Sequence, residues 1–325
     1  MLLHRNSGRW QLGLTLALVT ALLWGTTPNI LALALQIADT YTLTWFRFTS
    51  SFILLGLSLM GRQISSSQPK TLQPKLIEIK SWRQMPRSTW LLLTMAILGI
   101  GLDYPLYLMG MAATSPANAE VVIQLAPVLM GLGAIVIFKE RYTPNQWIGV
   151  GILTAGFGLF FHEQLQSLFT TSSSYLFGSG LVMLAAISWA AYALAQKQLL
   201  QYLSSEIVML IIYGGCALLY LPLANFAQLQ DLTLFQLTIL LLCGFSTLIS
   251  YGAFAESLQH WEASKISAVQ SLTPVITIAT SWLLAAALPQ LIAPAQPSWQ
   301  AFIGAVLVIT GSMLIALGHK AQTRS

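Results

Sequence analysis

The sequence predicts an all-α polytopic membrane protein. Ten transmembrane helices form two inverted five-helix repeats, with the N- and C-termini both in the cytoplasm. Three observations predict this. Charged residues make up only 8% of the 325, and hydrophobic ones 56%. Ten apolar segments are each long enough to cross a bilayer. The cations fall in alternate links, and a residue pattern of the first half returns in the second.

Composition excludes a water-facing surface. A soluble domain carries about 25% charged residues, and the mean hydropathy here is +0.71. The net charge of +5 reports topology rather than a nucleic-acid partner, because its cations sit in the links. Cys216 and Cys243 lie mid-span in separate segments and read as small buried hydrophobes. The apolar run from Leu12 to Leu35 is too long for a signal peptide and reads as a retained first span.

The spans run at about 11–34, 40–60, 90–111, 116–138, 145–162, 176–197, 205–225, 233–255, 264–287 and 299–318. Inside lipid the backbone must satisfy its own hydrogen bonds, which leaves helices or a closed barrel. Barrel strands alternate in polarity and are about 10 residues long, so these continuous runs are helices. The loop at 61–89 is rich in Ser, Gln and Pro and then turns apolar-basic. It reads as a flexible connection with a turn of helix lying on the membrane surface.

Arg5, Arg9, Arg62, Lys70, Lys75, Lys80, Arg83, Arg87, Lys139, Arg141, Lys197, Lys265, Lys320 and Arg324 all fall on one side of a ten-span chain. The other side has Asp39, Glu163 and Asp231. The positive-inside rule places the cationic side in the cytoplasm. Losing one span would scramble the sorting.

The second half can be slid along the first. Ala21 to Trp24 meets Ala186 to Trp189, and Asp103-Tyr104 meets Ser250-Tyr251. Glu120, Gln124 and Pro127 meet Ser267, Ser271 and Pro274. Trp147-Ile148-Gly149 with Gly156 meets Phe302-Ile303-Gly304 with Gly311, after an insertion at 288–298. The halves are residues 1–163 and 164–325. Each has five spans, an odd number, so the two enter the membrane in opposite orientations. Inverted repeats are the signature of alternating-access transporters, whose substrate sites lie near the midplane between the repeats.

The residues ALLWGTTPNILAL in span 1, TLTWFRFTSS in span 2 and APV followed by FKERYTPNQWIGVGILTAGFGL carry a family likeness. The chain resembles the drug/metabolite transporter superfamily, and within it the bacterial EamA-type permeases. In that family both halves often end the fourth span with an acidic residue. Here Glu140 fills that place in the first half, while the second has Ala287 and the insertion PQLIAPAQP. The resemblance implies an inner-membrane (plasma-membrane) secondary transporter, an exporter of amino acids or related small metabolites.

Ionisable residues within a membrane cost about 2.5–3.5 kcal/mol each on insertion scales and are functional candidates. Arg47 and Asp103 lie at similar depth, roughly 10–12 Å from the outer face. They are expected to form an ion pair, with Glu120 near enough to compete for Arg47. A static pair locking spans 2 and 3 is the alternative. Asp103 and Glu120 are the proton-coupling candidates. Glu120, Gln124 and Pro127 share one helix face, and span 9 repeats it as Ser267, Ser271 and Pro274 with Gln270 and Thr273 beside it. Those faces should line a cavity, with Pro127 and Pro274 as hinges. Trp24 and Trp189 are symmetry mates deep in spans 1 and 6, placed to stack on a substrate or to fill the core. Asn29, Tyr104 and Tyr192 are further cavity candidates. Gly149, Gly151, Gly156 and Gly158 read as a close-packing or subunit interface, which makes a homodimer a candidate assembly.

No motif supports catalysis. His4, His162, His260 and His319 lie at membrane edges or in the tails, and no metal or cofactor site is expected. There is no nucleophile elbow and no phosphate loop. The expected partners are a small-molecule substrate, protons and the lipid bilayer. Two alternatives remain: a facilitative exchanger of an anionic metabolite, with Arg47 as the binding charge, and a non-transporting scaffold or lipid-handling protein.

Overall fold

The computed structural model describes residues 7–65, 85–114, 116–162, 173–287 and 298–318. Most of the long loop (66–84) and of the insertion (288–297) lies outside them, as do Arg5, Lys70, Lys75, Lys80, Arg83, Glu163, Lys320 and Arg324. Among the described residues the chain is all helical, without strands. The helices are α1 (Trp10–Ala34), α2 (Thr40–Ser65), α3 (Arg87–Ala113), α4 (Pro116–Ile123), α5 (Leu125–Ile137), α6 (Pro144–Phe160), α7 (Ser173–Leu199), α8 (Ser205–Tyr220), α9 (Leu234–His260), α10 (Ala263–Gln270), α11 (Thr273–Ala287) and α12 (Trp299–Leu317).

Eight stretches are long and apolar enough to cross a membrane, counting α10 with most of α11 as one. The consecutive pair α4 and α5 supplies a further passage, and α6, 17 residues long, another. Ten passages result among the described residues. The breaks in the fourth and ninth follow from proline. Pro127 has no N–H for the Ile123 carbonyl, and α4 ends there. Pro274 likewise frees the Gln270 carbonyl, which instead accepts from Thr273 Oγ1 at 2.6 Å. Helix α8 ends at Tyr220, short of the expected 225, because the Leu221–Leu223 turn containing Pro222 follows it. Helix α9 continues to His260, five residues beyond expectation.

The starts are capped as their sequences require. Thr143 and Gln146 form a capping box at α6, and Thr233 and Gln236 form another at α9. Ser204 and Ser298 cap α8 and α12.

Packing pairs α3 with α7, α1 with α9, α6 with α12, and α2 with α8 and α9, while α5 lies against α7 and α10. In the α6–α12 pair the backbones come close together. A Cβ on Gly156 would stand 3.0 Å from the Gly304 carbonyl, and one on Gly149 would stand 2.9 Å from that of Gly311. Small residues let these backbones touch. A Cβ on Gly151 or Gly158 would meet nothing, so only half of the glycine set serves this interface. Both described chain ends lie at one end of the bundle. Ser7 bonds His260 and Gln259, and Gln146 Nε2 donates to the Ile315 carbonyl near the end of α12. The large exposed side chains, such as Leu57, Val136, Phe177, Leu218 and Leu283, face outward as a lipid-facing belt requires.

Candidate functional site

A cavity of about 140 Å³ opens between the two broken passages. That is close to an engineered cavity that accepts benzene, about 150 Å³. Its lining comes from the middle of the bundle and from the end where α1 meets α2 and α3 meets α4. Leu31, Leu108 and Glu120 mark the outer part, and Trp189, Tyr251 and Gln270 the floor.

Arg47 supplies the positive charge. It is 3% exposed. Its Nε donates to Thr247 Oγ1 at 2.9 Å and its Nη2 to the Tyr104 hydroxyl at 3.0 Å. Nη1 has no hydrogen-bond partner among the described residues. The expected Arg47–Asp103 ion pair is not formed. Thr247 and Tyr104 occupy the guanidinium instead, and Asp103 lines the same cavity without an ion pair among the described residues. Equal depth put the two charges in one cavity, but which atoms meet was decided by α9, which delivers Thr247.

Glu120 is half-buried on α4. It accepts from Gln124 Nε2 at 3.4 Å and from the Tyr107 hydroxyl at 3.5 Å, both long. Gln124 sits at the helix break, and its Oε1 is buried without a partner. Gln270, at the other break, donates Nε2 to the Ala17 carbonyl at 3.2 Å and also leaves Oε1 unpaired. Trp24 presents an unpaired Nε1. The residues that line the cavity therefore carry two buried donors without partners, Arg47 Nη1 and Trp24 Nε1, and two buried acceptors without partners. Buried polar groups without partners are costly, and a solute carrying both a carboxylate and an amino group satisfies both kinds.

Of the expected residues, Trp24, Arg47, Asp103, Tyr104, Glu120, Gln124, Pro127, Trp189, Gln270 and Thr273 line the cavity. Three do not. Asn29 ties α1 to α11, donating to Thr280 Oγ1 at 3.3 Å and accepting from Ser281 at 2.9 Å. Tyr192 is fully buried behind the wall, its ring 6.2 Å from that of Trp189. Pro274 breaks the ninth passage without reaching the cavity, and in that passage it is Gln270 and Thr273, rather than Ser267 and Ser271, that face the cavity. Trp24 and Trp189 meet edge to face at 5.5 Å, so the symmetry mates form one continuous wall. Tyr107 and Tyr251 were missed as site residues. Tyr107 falls one helical turn after Asp103, and Tyr251 is the repeat counterpart of Tyr104, so both carried a legible signal.

The opposite end of the bundle holds a second polar cluster. Lys139 takes a left-handed backbone (φ 55°) that ends α5 and turns Glu140 toward α10. Glu140 Oε1 lies 2.7 Å from Lys197 Nζ and accepts from the Ala263 N–H at 3.0 Å. Oε2 accepts from the Ser264 N–H at 2.9 Å and, in a short bond, from the Ser264 hydroxyl. Lys197 is 1% exposed.

The family model of the EamA-like transporters matches this chain twice, over residues 11–161 and 176–317. The chain belongs to the EamA-like transporter family. An uncharacterised transporter of Haemophilus influenzae is 33% identical over 310 residues, covering 95% of this EamA-like chain and 96% of that protein. The uncharacterised inner membrane transporter YhbE of Escherichia coli K12 is also 33% identical, covering 95% and 92%. A probable amino-acid metabolite efflux pump of Salmonella typhimurium is 24% identical over 205 residues, 59% of this chain and 64% of that one. A solved crystal structure at 18% identity superposes with a TM-score of 0.67 over 96% of this chain and 98% of the other, which shows the EamA-like fold is shared.

Proposed function

We propose that this EamA-like chain is a secondary transporter that exports amino acids or related small metabolites by alternating access, coupled to protons. One observation carries the reading. A mid-bundle cavity between two proline-broken passages holds one guanidinium, two carboxylates and orphaned atoms of both hydrogen-bonding kinds. Broken helices around a midplane site are where transporters place their substrates. Arg47 receives the solute carboxylate through Nη1. Glu120 and Gln124 receive its amino group, and Asp103 and Glu120 take up the driving proton. The name of the Salmonella relative, a probable amino-acid metabolite efflux pump, favours the same solute class. In this reading residues 1–163 and 164–325 are the inverted repeats. The positive-inside rule then places both termini in the cytoplasm and the cavity toward the outer face.

A second reading draws on the unpaired Nη1 of Arg47: a facilitative exchanger of an anionic metabolite. Counterflow in proteoliposomes separates the two. Labelled amino acids and related metabolites are offered to the purified protein at two pH values. Saturable uptake that grows with an imposed pH gradient supports the exporter. Uptake only against internal unlabelled anion, indifferent to pH, supports the exchanger. Absence of saturable flux across the whole pool would remove the amino-acid reading.

A further inference from the structure

We propose that Glu140, Lys197 and the first turn of α10 form an ionic latch that closes the end of the bundle opposite the cavity, and that the transport cycle must break it. Glu140 comes from the link between α5 and α6. Lys197 closes α7, and Ala263 and Ser264 open α10. One carboxylate thus ties three segments, two of them in the second half of the chain, through the ion pair and the two N–H bonds described above. Tyr142, two residues on, adds a bond from its hydroxyl to the Ser264 carbonyl at 3.2 Å.

The latch sits where a gate must be. Gln270 belongs to the cavity floor, and Ser264 lies six residues earlier on the same helix, about 9 Å away. The intervening layer is closed. Met130 and Ala134 of α5, Gln196 of α7 and Ile266 of α10 are fully buried, and Ser267 is nearly so. Gly131 is pressed so close to Ser267 that a Cβ would stand 2.8 Å from its Oγ. The cavity lies on one side of this layer and the Glu140 cluster on the other.

The chemistry suits a joint that must part. A buried ion pair is a poor way to gain stability, since apolar side chains of equal size close a seam as well or better. Apolar faces, however, are penalised when water enters. A carboxylate, an ammonium and helix N-terminal N–H groups are all well hydrated once separated, so the seam can open without exposing new apolar surface. The arrangement is one-ended. In the repeat register Ala287, Ala32 and Ala117 stand where Glu140, Lys197 and Ser264 do. Among the described residues the outer end shows no equivalent ion pair, which biases the resting protein toward the outward-facing form.

The proposal rests on the alternating-access reading, and two measurements keep the two distinguishable. The first needs no transport. Ser267→Cys is a reporter for the closed layer, read by a membrane-impermeant maleimide added from the side bearing Glu140. The same chain without the reporter gives the background from Cys216 and Cys243. With the latch intact the reporter stays unlabelled. Glu140→Gln and Lys197→Met each raise its labelling rate by about tenfold or more, and Lys197→Arg does not. Equal labelling across this set, in protein that elutes as a single folded species, overturns the latch. The second joins Glu140→Cys to Lys197→Cys with a short cleavable thiosulfonate. Bridged protein loses counterflow and reductant restores it. Bridged protein that transports at the unbridged rate also overturns the latch. Altered labelling without flux in any variant would instead overturn the transport reading and leave the latch standing.

Discussion

The guanidinium of Arg47 lies 4.5 Å above the ring of Tyr104 and donates to that residue's hydroxyl at 3.0 Å. Tyr104 therefore holds the cation by both its face and its polar edge, while Thr247 fixes Nε from α9. The charge is pinned in the wall, and Nη1 has no hydrogen-bond partner among the described residues.

Arg47→Lys tests this geometry. An ammonium cannot reach Thr247 and Tyr104 while also presenting a fixed donor to a carboxylate. The half-saturation concentration in counterflow should rise about tenfold, one charge-assisted hydrogen bond. An unchanged value would show that the solute does not bind at Arg47.

Asp103→Asn and Glu120→Gln test proton coupling. Each keeps the side-chain shape and removes the ionisable group. The acceleration of transport by a pH gradient should disappear in at least one of them, while pH-independent counterflow persists. If both respond to the gradient as the parent does, the coupling lies elsewhere.

Pro127→Ala and Pro274→Ala test the helix breaks. Each restores an N–H that an unbroken helix would use. Thermal unfolding in detergent should shift upward by a few degrees, and transport should slow, because a straighter passage loses the geometry that shapes the cavity floor. Faster transport in both variants would mean the breaks serve no positional role.

The α6–α12 crossing gives a stability test with an internal control. Gly156→Val drives a side chain into the backbone around Gly304 and should cost about 1–3 kcal/mol. Gly151→Val, on the open face, should stay within about 0.5 kcal/mol. Equal loss at both sites would place a second interface on the Gly151 face.

Glu140 makes acid stability predictable. Burial raises its carboxyl, but Lys197 and the bonds from Ser264 outweigh this and leave it below the ordinary carboxylate value. A depressed folded-state value means the group stabilises the fold above about pH 4.5, and that this contribution is lost as pH falls further. Melting temperature should therefore fall on acidification below that point, and the fall should be shallower in Glu140→Gln. Parallel profiles would show that other groups control acid lability.

Much of this was legible in the chain itself. Bilayer thickness sets span length, so the passages could be placed by counting apolar residues, and the ends of α1, α3 and α12 fall within three residues of expectation. Helical periodicity put Glu120, Gln124 and Pro127 on one face, and all three line the cavity. The proline positions foretold the two breaks, and Trp24 with Trp189 followed from the repeat. Local rules of this kind act within one helix, so sequence suffices for them.

What sequence could not decide were choices between helices. Arg47 was expected to pair with Asp103 because both lie at one depth. The rotation of α9 instead brought Thr247 to the guanidinium, and Tyr104 took Nη2. Tyr192 and Asn29 share helices with lining residues but point elsewhere, Tyr192 behind the wall and Asn29 to α11. Glu140 looked like a link residue. Only the packing of α5, α7 and α10 showed that its carboxylate reaches Lys197, 57 residues away, and the N–H groups of α10, more than 120 residues away. Composition and periodicity determine which face of a helix is polar. The partner that face meets depends on crossing angles and register set by every helix packed around it, and that is a property of the assembled bundle alone.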